Sequence, residues 1–441
     1  MEDLMQKIIS LSKRRGFVFP SSEIYGGFNS SYDFGPLGVA LKRNIKQAWW
    51  KDMTQHHDSI VGLDAAILMS PQVWEASGHL SVGFADELVE CKNCHKRFRL
   101  DGIKNDKCPQ CGGELGKPKQ FNLMMKTFIG SVEDDSSIAY LRPETCQGIY
   151  VNFKNALTSS RSKLPFGMAQ IGKAFRNEIT TKNFIFRTRE FEQMEMQWFC
   201  DPNDADKWFD YWKEERLNWY LNLGVDKKNL KMVEIPEGER AHYAQRQIDL
   251  EYKFPFGWQE IEGIHNRGDW DLSRHSKFSN ADLKYQDLKT NKEYIPYIIE
   301  TSVGVERSLL AFLTEAYQEV SGGRTETTKA VKASETVLKF HRSLAPIKIA
   351  VLPLVKNKPE LVKKAKEVYS LLKSNFMTQY DEVGSIGRRY RRQDEQGTPF
   401  CVTIDFDTLD NNEVTIRDRD TMKQETVEIN KIVKYLGQKL V

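Results

Sequence analysis

Four of the seven cysteines fall in two pairs: CKNC supplies Cys91 and Cys94, CPQC supplies Cys108 and Cys111, and 13 residues separate them. Two such knuckles bring four soft thiolates to the corners of a tetrahedron, which suits Zn²⁺ and leaves no position open for a substrate water. The metal site they predict is therefore structural. Free core thiols or redox cysteines are the alternatives, and two CxxC units followed at once by the glycines of CGGEL favour the metal. His95 adjoins Cys94, but four thiolates already fill the shell. Cys146, Cys200 and Cys401 have no such spacing and read as small core residues.

A second chemical set lies at 175–199, FRNEITTKNFIFRTREFEQMEMQWF, where three arginines and four glutamates sit in a segment that alternates like a β-hairpin. With a period of two, Arg176 and Glu178 share one face of the first strand, and Phe191, Gln193 and Glu195 share one face of the second. The connection TTKNFIFRT is long for a hairpin, and long loops between good strands tend to be functional. The pattern would suit an exposed sheet laced with cross-strand ion pairs. It also suits a binding site: arginine's planar fork grips a phosphate in two places, and a neighbouring carboxylate can accept from an adenine amino group or a substrate ammonium. Phe186, turned inward, would stack on a purine.

The third set is YIIETSVGVERSLLAFL, a strand with Glu300 and Ser302 on one face, a turn at Gly304, and a helix whose first turn holds Arg307. It aims a guanidinium and a positive helix end at whatever lies above the sheet, with a carboxylate and a hydroxyl beside them. A site for a triphosphate and an amine is the natural expectation. GMAQIGKAF places Gly167, Gly172 and Lys173 at phosphate-loop spacing, but Ala174 stands where a magnesium-ligating Ser or Thr belongs, and strand-like alternation follows instead of a helix. GxGxxG, HExxH and GxSxG patterns are absent, so dinucleotide enzymes, zinc proteases and serine hydrolases have no support.

These groups need a scaffold on which to converge. A chain of 441 residues exceeds one ordinary core, so two or three domains are expected. The composition, 40% hydrophobic and 28% charged, is that of an ordinary globular protein, and a net charge of +3 confines nucleic-acid contact to local patches. The opening MEDLMQKIISLSKRRGF lacks the apolar core and cleavage site of a secretory leader, and no stretch approaches a membrane-spanning length. A cytoplasmic location with no membrane partner is expected, where reduced thiols again favour metal over disulfides. PLGVALKRNIKQAWWKDM opens on a proline suited to a first helical turn, and Leu37, Leu41, Ile45, Ala48, Trp49 and Met53 make one apolar stripe, predicting a helix over about 36–56. A strand follows near SIVGLDAAIL. Residues 202–225 predict another helix with core aromatics, and the polar, basic stretch 321–345 predicts a domain boundary. Beyond it, IKIAVLPL, PELVKKAKEVYSLLKSN and FCVTIDFD alternate strand, helix and strand, as in a small α/β domain.

The helix and strand at 36–71, FRNE with REFEQME, and ETSVGVER resemble motifs 1, 2 and 3 of the class II aminoacyl-tRNA synthetases. With SGH at 77–79, LRPETCQGIYVNF at 141–153 and EIEGIHNRGDWDL at 260–272, the resemblance narrows to the dimeric glycyl-tRNA synthetase family and covers essentially the whole chain. Class I signatures of the HxGH and KMSKS type are absent. The resemblance implies an α/β (α+β) fold, an antiparallel sheet flanked by helices. It divides the chain into a catalytic domain over 1–90 and 121–335, a zinc-binding insertion over 91–120, and an anticodon-binding α/β domain over 346–441. It further implies a homodimer formed through motif 1, and a glycine--tRNA ligase activity in which ATP with Mg²⁺ drives attachment of glycine to tRNA(Gly) through a glycyl adenylate.

Residue by residue, the resemblance gives Arg176 the α-phosphate and the glycine carboxylate, Arg307 the far phosphates, Glu178 the adenine, and Phe186 a face to pack on the base. The ATP site it implies runs over Arg176, Asn177 and Glu178, then Phe186, Arg187, Thr188, Arg189, Glu190 and Phe191. It continues through Glu260, Ile261, Gly304, Val305, Glu306 and Arg307. Glu260 is the implied magnesium contact, with Glu262 and Glu300 competing for the ion. Glu144, Glu195, Glu300 and Ser302 are implied around the glycine ammonium, Arg267 at its carboxylate, and Arg99 reaching in from the insertion. Phe191, Glu192, Gln193, Met194, Thr301, Val303 and Gly304 complete that set. Walls of this kind exclude larger amino acids sterically, so no editing domain is needed. In GRRYRRQ, Arg388, Arg389, Tyr390 and Arg391 combine phosphate contacts with a stacking platform for tRNA, a solvated basic loop being the plainer alternative. A different class II synthetase, or a non-enzymatic nucleic-acid-binding relative, would be the rival readings. The latter is expected to lose Arg176, Glu178, Glu300 or Arg307, and all four are present.

Overall fold

The structure is a computed structural model, which describes residues 2–81, 84–100, 103, 105–179, 183–321 and 334–440. Part of the hairpin connection, 180–182, and part of the expected domain boundary, 322–333, lie outside the described residues.

A seven-stranded sheet organises the first three-quarters of the chain. Its strands are β1 (Ile60–Gly62), β2 (Phe166–Phe175), β3 (Glu190–Cys200), β4 (Leu230–Glu234), β5 (Arg246–Phe254), β6 (Gly257–Gly268) and β7 (Tyr297–Gly304). They stand in the order β4-β5-β6-β7-β3-β2-β1, antiparallel throughout except for the parallel edge pair β1–β2. The period of two divides this sheet cleanly. Met194, Met196, Trp198, Ile264, Ile299 and Val303 turn to one side and enter a single core. That core is closed by α1 (Pro36–Lys51), by the helix of Ala205–Asn222 and by the helix of Val305–Ala316. At the far end of the other side, Phe166, Met168, Phe199 and Ile298 pack under Cys146, Ile149, Tyr150, Phe153 and Leu272. The near end of that same face is left polar, and the candidate site lies there.

The expected helix over 36–56 is α-helical to Lys51 and continues as a π-helical turn over Asp52–His56. Five further helices that bear on the site or the C-terminal sheet are labelled in chain order: α2 is Cys146–Val151, α3 is Ala205–Asn222, α4 is Trp270–Ser279, α5 is Val305–Ala316 and α6 is Ile386–Gln396. The glycine at 172 in the phosphate-loop pattern serves packing: it lies in β2, and a Cβ there would stand 2.1 Å from Nη2 of Arg142. Arg142 crosses the strand at that point to reach the carbonyls of Lys173 and Ala65, both at 2.7 Å.

The knuckles form a lobe on a three-stranded sheet of Ala85–Glu90, Arg97–Arg99 and Lys119–Asn122. The C-terminal part builds a separate mixed sheet of five strands, β8 (Ile349–Pro353), β9 (Thr378–Tyr380), β10 (Phe400–Ile404), β11 (Glu413–Asp418) and β12 (Gln424–Glu428), around its own core. Among the described residues no helix is long and apolar enough to cross a membrane.

Two buried ion clusters fasten the helices to the core side of the main sheet. Arg216 of α3, fully buried, reaches Glu262 of β6 at 2.6 Å and Asp52 at the end of α1 at 3.1 Å. Burial pushes the Glu262 carboxyl up, and Arg216 opposes the shift. Removing one member of such a pair leaves the other charge without compensation, a loss of about 3–5 kcal/mol. Arg216→Met is expected to lower stability by about that amount in urea-melting experiments. A change under about 1 kcal/mol would show the pair to be structurally idle.

Candidate active site

A cavity of about 290 Å³ opens on the polar end of the sheet, lined by both carboxylates and guanidiniums. Its walls include Glu144, Arg176, Glu178, Phe186, Arg187, Thr188, Phe191, Gln193, Glu195, Glu260, Ile261, Glu300, Ser302, Gly304, Glu306 and Arg307. Three stretches that are far apart in sequence therefore meet.

Arg176 and Glu178 reach the cavity by a route different from the expected one. β2 ends at Phe175, and the Glu178 amide donates to the Arg176 carbonyl at 2.7 Å, a tight turn that aims both side chains inward. Arg176 donates to the Pro143 carbonyl at 3.0 Å and lies between the rings of Phe84 and Phe191, its guanidinium 5.6 and 5.5 Å from their centroids. Among the described residues no carboxylate lies in ion-pairing range of it. Arg307, in the first turn of α5, lies over the Phe186 ring at 4.5 Å and meets Glu260 at 3.1 Å. Phe186 is held edge-on by Phe254 and Phe256, so its ring has a fixed plane.

At the other end three buried carboxyls converge, and their environments differ. Glu300 accepts from Arg267 at 2.9 Å and faces His265 Nδ1 at 2.8 Å. Burial alone would raise its carboxyl, but Arg267 and His265 bring it down to about 2. Glu144 is likewise buried, and His79 at 3.4 Å with Arg267 nearby holds it well below the usual carboxylate range. Glu195 has only uncharged partners: Thr145, Ser302 at 2.7 Å and Gln193 at 3.1 Å. Burial, with Glu300 and Glu144 beside it, pushes it up to about 8.

Several expected contacts stand elsewhere. Met194, Thr301 and Val303 alternate onto the core side of the sheet, away from the cavity, and Val305 is buried in the same core. Glu192 also turns that way and pairs with Lys42 at 2.6 Å and Lys46 at 2.7 Å. Glu306 borders the cavity, yet its carboxylate is taken by Lys42 at 2.6 Å and by the Glu192 amide at 2.9 Å. Glu190 is an exposed partner of Lys173, and Arg189 donates to the carbonyls of Glu178 and Asn29. Asn177 lies between two cavity residues without lining it. Arg267 is fully enclosed, gripped by Asp271 at 2.7 and 3.0 Å as well as by Glu300. It stands here as a buried counterion and does not border the cavity where its expected place at a substrate carboxylate would put it. Arg99 pairs with Asp86 at 3.2 Å in the sheet of the insertion and does not border the cavity. Neither alternative for the magnesium ion is available: Glu262 lies beneath the sheet with Arg216, and Glu300 is held by Arg267 and His265.

Sequence reasoning passed over Tyr243, Gln247, Asp249 and His265, all of which border the cavity. The signal was present for His265, since Gly263, His265 and Arg267 share one face of β6 by the same alternation. Tyr243 had none, because it precedes β5 in a loop and only the fold brings its ring to 3.6 Å from Arg267.

The four knuckle cysteines come together as expected, with ligand atoms within 4.8 Å of one another. Four sulfurs so placed fit a closed tetrahedral site, and His95 points instead to Glu90. The basic stretch of the C-terminal sheet is different from its expectation. GRRYRRQ is part of α6, Arg389 is buried on the carbonyls of Pro353, Leu354 and Asp381, and Tyr390 is buried with its hydroxyl 2.5 Å from Thr403. Neither a stacking platform nor a solvated loop describes it: helical periodicity buries two of the four residues. Arg388 stays exposed, and Arg391 is half-buried at 3.7 Å from Glu335.

A sheet of this topology with these three convergent stretches has the architecture of a class II aminoacyl-tRNA synthetase, and family comparison agrees. Residues 130–317 match the tRNA synthetase class II core domain (G, H, P, S and T), and residues 348–439 match an anticodon binding domain. The chain is 56% identical over 429 residues to the glycine--tRNA ligase of Treponema denticola, covering 95% of this chain and 93% of that protein. It is 53% identical to that of Borreliella burgdorferi (99% of this chain, 98% of the relative) and 49% identical to that of Thermobifida fusca (99% and 98%). The chain belongs to the glycine--tRNA ligase family.

Two outcomes follow from these placements. Cys91→Ser is expected to lower bound zinc from one equivalent, measured by elemental analysis, and to lower the melting temperature; a full equivalent with normal melting would contradict the tetrathiolate site. Tyr390→Leu is expected to cost more than about 1 kcal/mol of stability and leave tRNA affinity in a filter-binding assay unchanged, whereas an exposed stacking residue would lose affinity and little stability.

Proposed function

We propose that the cavity holds ATP and glycine side by side, and that the chain ligates glycine to tRNA(Gly) in two steps through a glycyl adenylate. The observation that carries this reading is Arg176, a guanidinium in the cavity wall beside two rings and a carbonyl, with no carboxylate in ion-pairing range among the described residues. An uncompensated, immobilised cation of this kind is suited to charge that arrives with the substrate and grows in the transition state.

In the first step a glycine carboxylate oxygen attacks the α-phosphorus, the bond to pyrophosphate breaks, and negative charge develops on the phosphoryl oxygens. No protein nucleophile is required; the chain's contribution is alignment and fixed charge. Arg176 meets the α-phosphate, Arg307 the outer phosphates, and Glu178 with Phe186 the adenine. Mg²⁺, when bound, neutralises the polyphosphate, and Glu260, half-exposed at the cavity rim, is the carboxylate that suits it. Glu144, Glu195, Glu300 and Ser302 form the end suited to the glycine ammonium, with Arg267 acting through Glu300. In the second step the terminal ribose of the tRNA takes the glycyl group from the adenylate.

The division into a catalytic domain (1–90 and 121–335), a zinc insertion (91–120) and an anticodon-binding domain (346–441) belongs to the same reading. So do cytoplasmic location and a homodimer through α1, which leaves Val39 exposed on its outer side. In the anticodon-binding domain Arg388 is the member of the basic stretch placed to meet RNA phosphates.

Purified protein is expected to exchange pyrophosphate into ATP in the presence of glycine and not of alanine or serine; equal exchange with those would overturn the choice of amino acid. Arg176→Ala is expected to lower glycine-dependent exchange by ~10²-fold or more, and unchanged turnover would make the arginine structural.

A further inference from the structure

We propose that glycine binding is an exchange at Glu195: the carboxyl carries a proton in the unliganded protein and gives it to solvent as the glycine ammonium takes its place. This rests on the glycine site proposed above and goes beyond it, because it assigns different protonation states to carboxyls that share one pocket.

The geometry sets Glu195 apart. Glu300 has Arg267 and His265 against it, and Glu144 has His79. Among the described residues no ion pair reaches Glu195. From its own strand it is faced by Gln193 and Gln197, and from β2 by Gln170 directly opposite in register, none of them charged. From β7 it meets Ser302 and the anionic Glu300, and from the start of α2 it meets Thr145, Cys146 and, one residue earlier, Glu144. Arg142, the cation on that side among the described residues, acts only at a distance, its Nε and Nη1 donating to the carbonyls of Lys173 and Ala65. A buried carboxylate with two anions beside it and no adjacent cation is better off neutral.

The pocket also holds a vacancy for a cationic donor. Gln193 gives its Nε2 to Glu195 and Ser302, and its Oε1, buried on the cavity wall, accepts from nothing among the described residues. An ammonium group beside Glu195 would supply the missing positive charge and a donor for that oxygen together. The balance is simple. R–NH₃⁺ and the Glu195 carboxylic acid give an R–NH₃⁺ carboxylate pair and one H⁺, which leaves to solvent. No bond of the substrate changes.

The sign follows from the raised carboxyl, at about 8 in the free protein. Below that pH the free protein holds the proton and the complex does not, so binding releases close to one proton. Glycine affinity then rises about tenfold per pH unit up to that point, levels above it, and falls again once the glycine amine loses its own proton. Ionised Glu195 would also favour an ammonium over the uncharged hydroxyl that stands in its place in glycolate.

The test is titration of the full-length protein with glycine by calorimetry, in buffers of different ionisation enthalpy, from pH 6.5 to 9.5. Infrared difference spectra before and after glycine accompany it. The expected result is release of close to one proton per glycine near pH 7, falling to none near about pH 9 and turning to uptake by pH 9.5, where free glycine has itself lost part of its ammonium proton, with loss of a protonated-carboxyl carbonyl band at neutral pH. The free Glu195→Gln variant should lack that band whether or not it still binds glycine. Glycine binding with no proton released near pH 7, or a band that persists in Glu195→Gln, would overturn the exchange. Absence of any glycine-dependent pyrophosphate exchange in the wild type would instead overturn the underlying reading of the site.

Discussion

The requirement that a buried charge find a counter-charge shapes this molecule more than any other interaction. Taking a carboxylate or guanidinium out of water costs several kcal/mol, and only close, well-directed partners offset it. On the core side of the main sheet Arg216 answers Glu262 and Asp52, and Lys42 answers Glu192 and Glu306. On the cavity side Arg267 answers Asp271 and Glu300. Each cluster ties together elements distant in sequence, so the charge pairs fix helices and strands in one arrangement.

Against that background the groups left without compensation are the informative ones. Among the described residues Arg176 has rings and a carbonyl but no acid in ion-pairing range, and Glu195 has hydroxyls and an amide but no cation in that range. One lies where phosphate charge is to be met and the other where an amine is to be met. The cavity thus carries a positive site and an acidic site at its two ends, on a scaffold braced by the paired clusters. Preorganisation of this sort spends folding energy in advance so that little reorganisation accompanies the reaction.

Lys42 links this chemistry to the rest of the molecule. It lies on α1, is buried beside the Phe34 ring at 4.1 Å, and holds both Glu192 of β3 and Glu306 of α5. Burial lowers its affinity for a proton, and the two glutamates more than restore it. Glu306 immediately precedes Arg307, so the place of that guanidinium over Phe186 depends on a helix whose other face is exposed. Residues read from sequence as substrate contacts thus form the frame around the contacts.

Much of the site was legible because its signals are local. The two CxxC knuckles, the alternation through Glu195 and through Glu300 with Ser302, and the Gly304 turn into the Arg307 helix each depend on residues close in the chain, where spacing alone dictates facing. What alternation could not reveal was which face would be covered. The family resemblance implies Met194, Thr301 and Val303 among the substrate contacts, and the period of two puts them on the core side of the sheet. In GRRYRRQ the composition suggested exposure, whereas helical packing against β8 and β10 buries Arg389 and Tyr390. The sequence by itself determined the sheet's polar and apolar faces, the metal knuckle and the family motifs, since these are set by neighbours a few residues apart. Only the tertiary structure decided which charges cancel and which stay available, because compensation is a matter of distance through space between groups hundreds of residues apart.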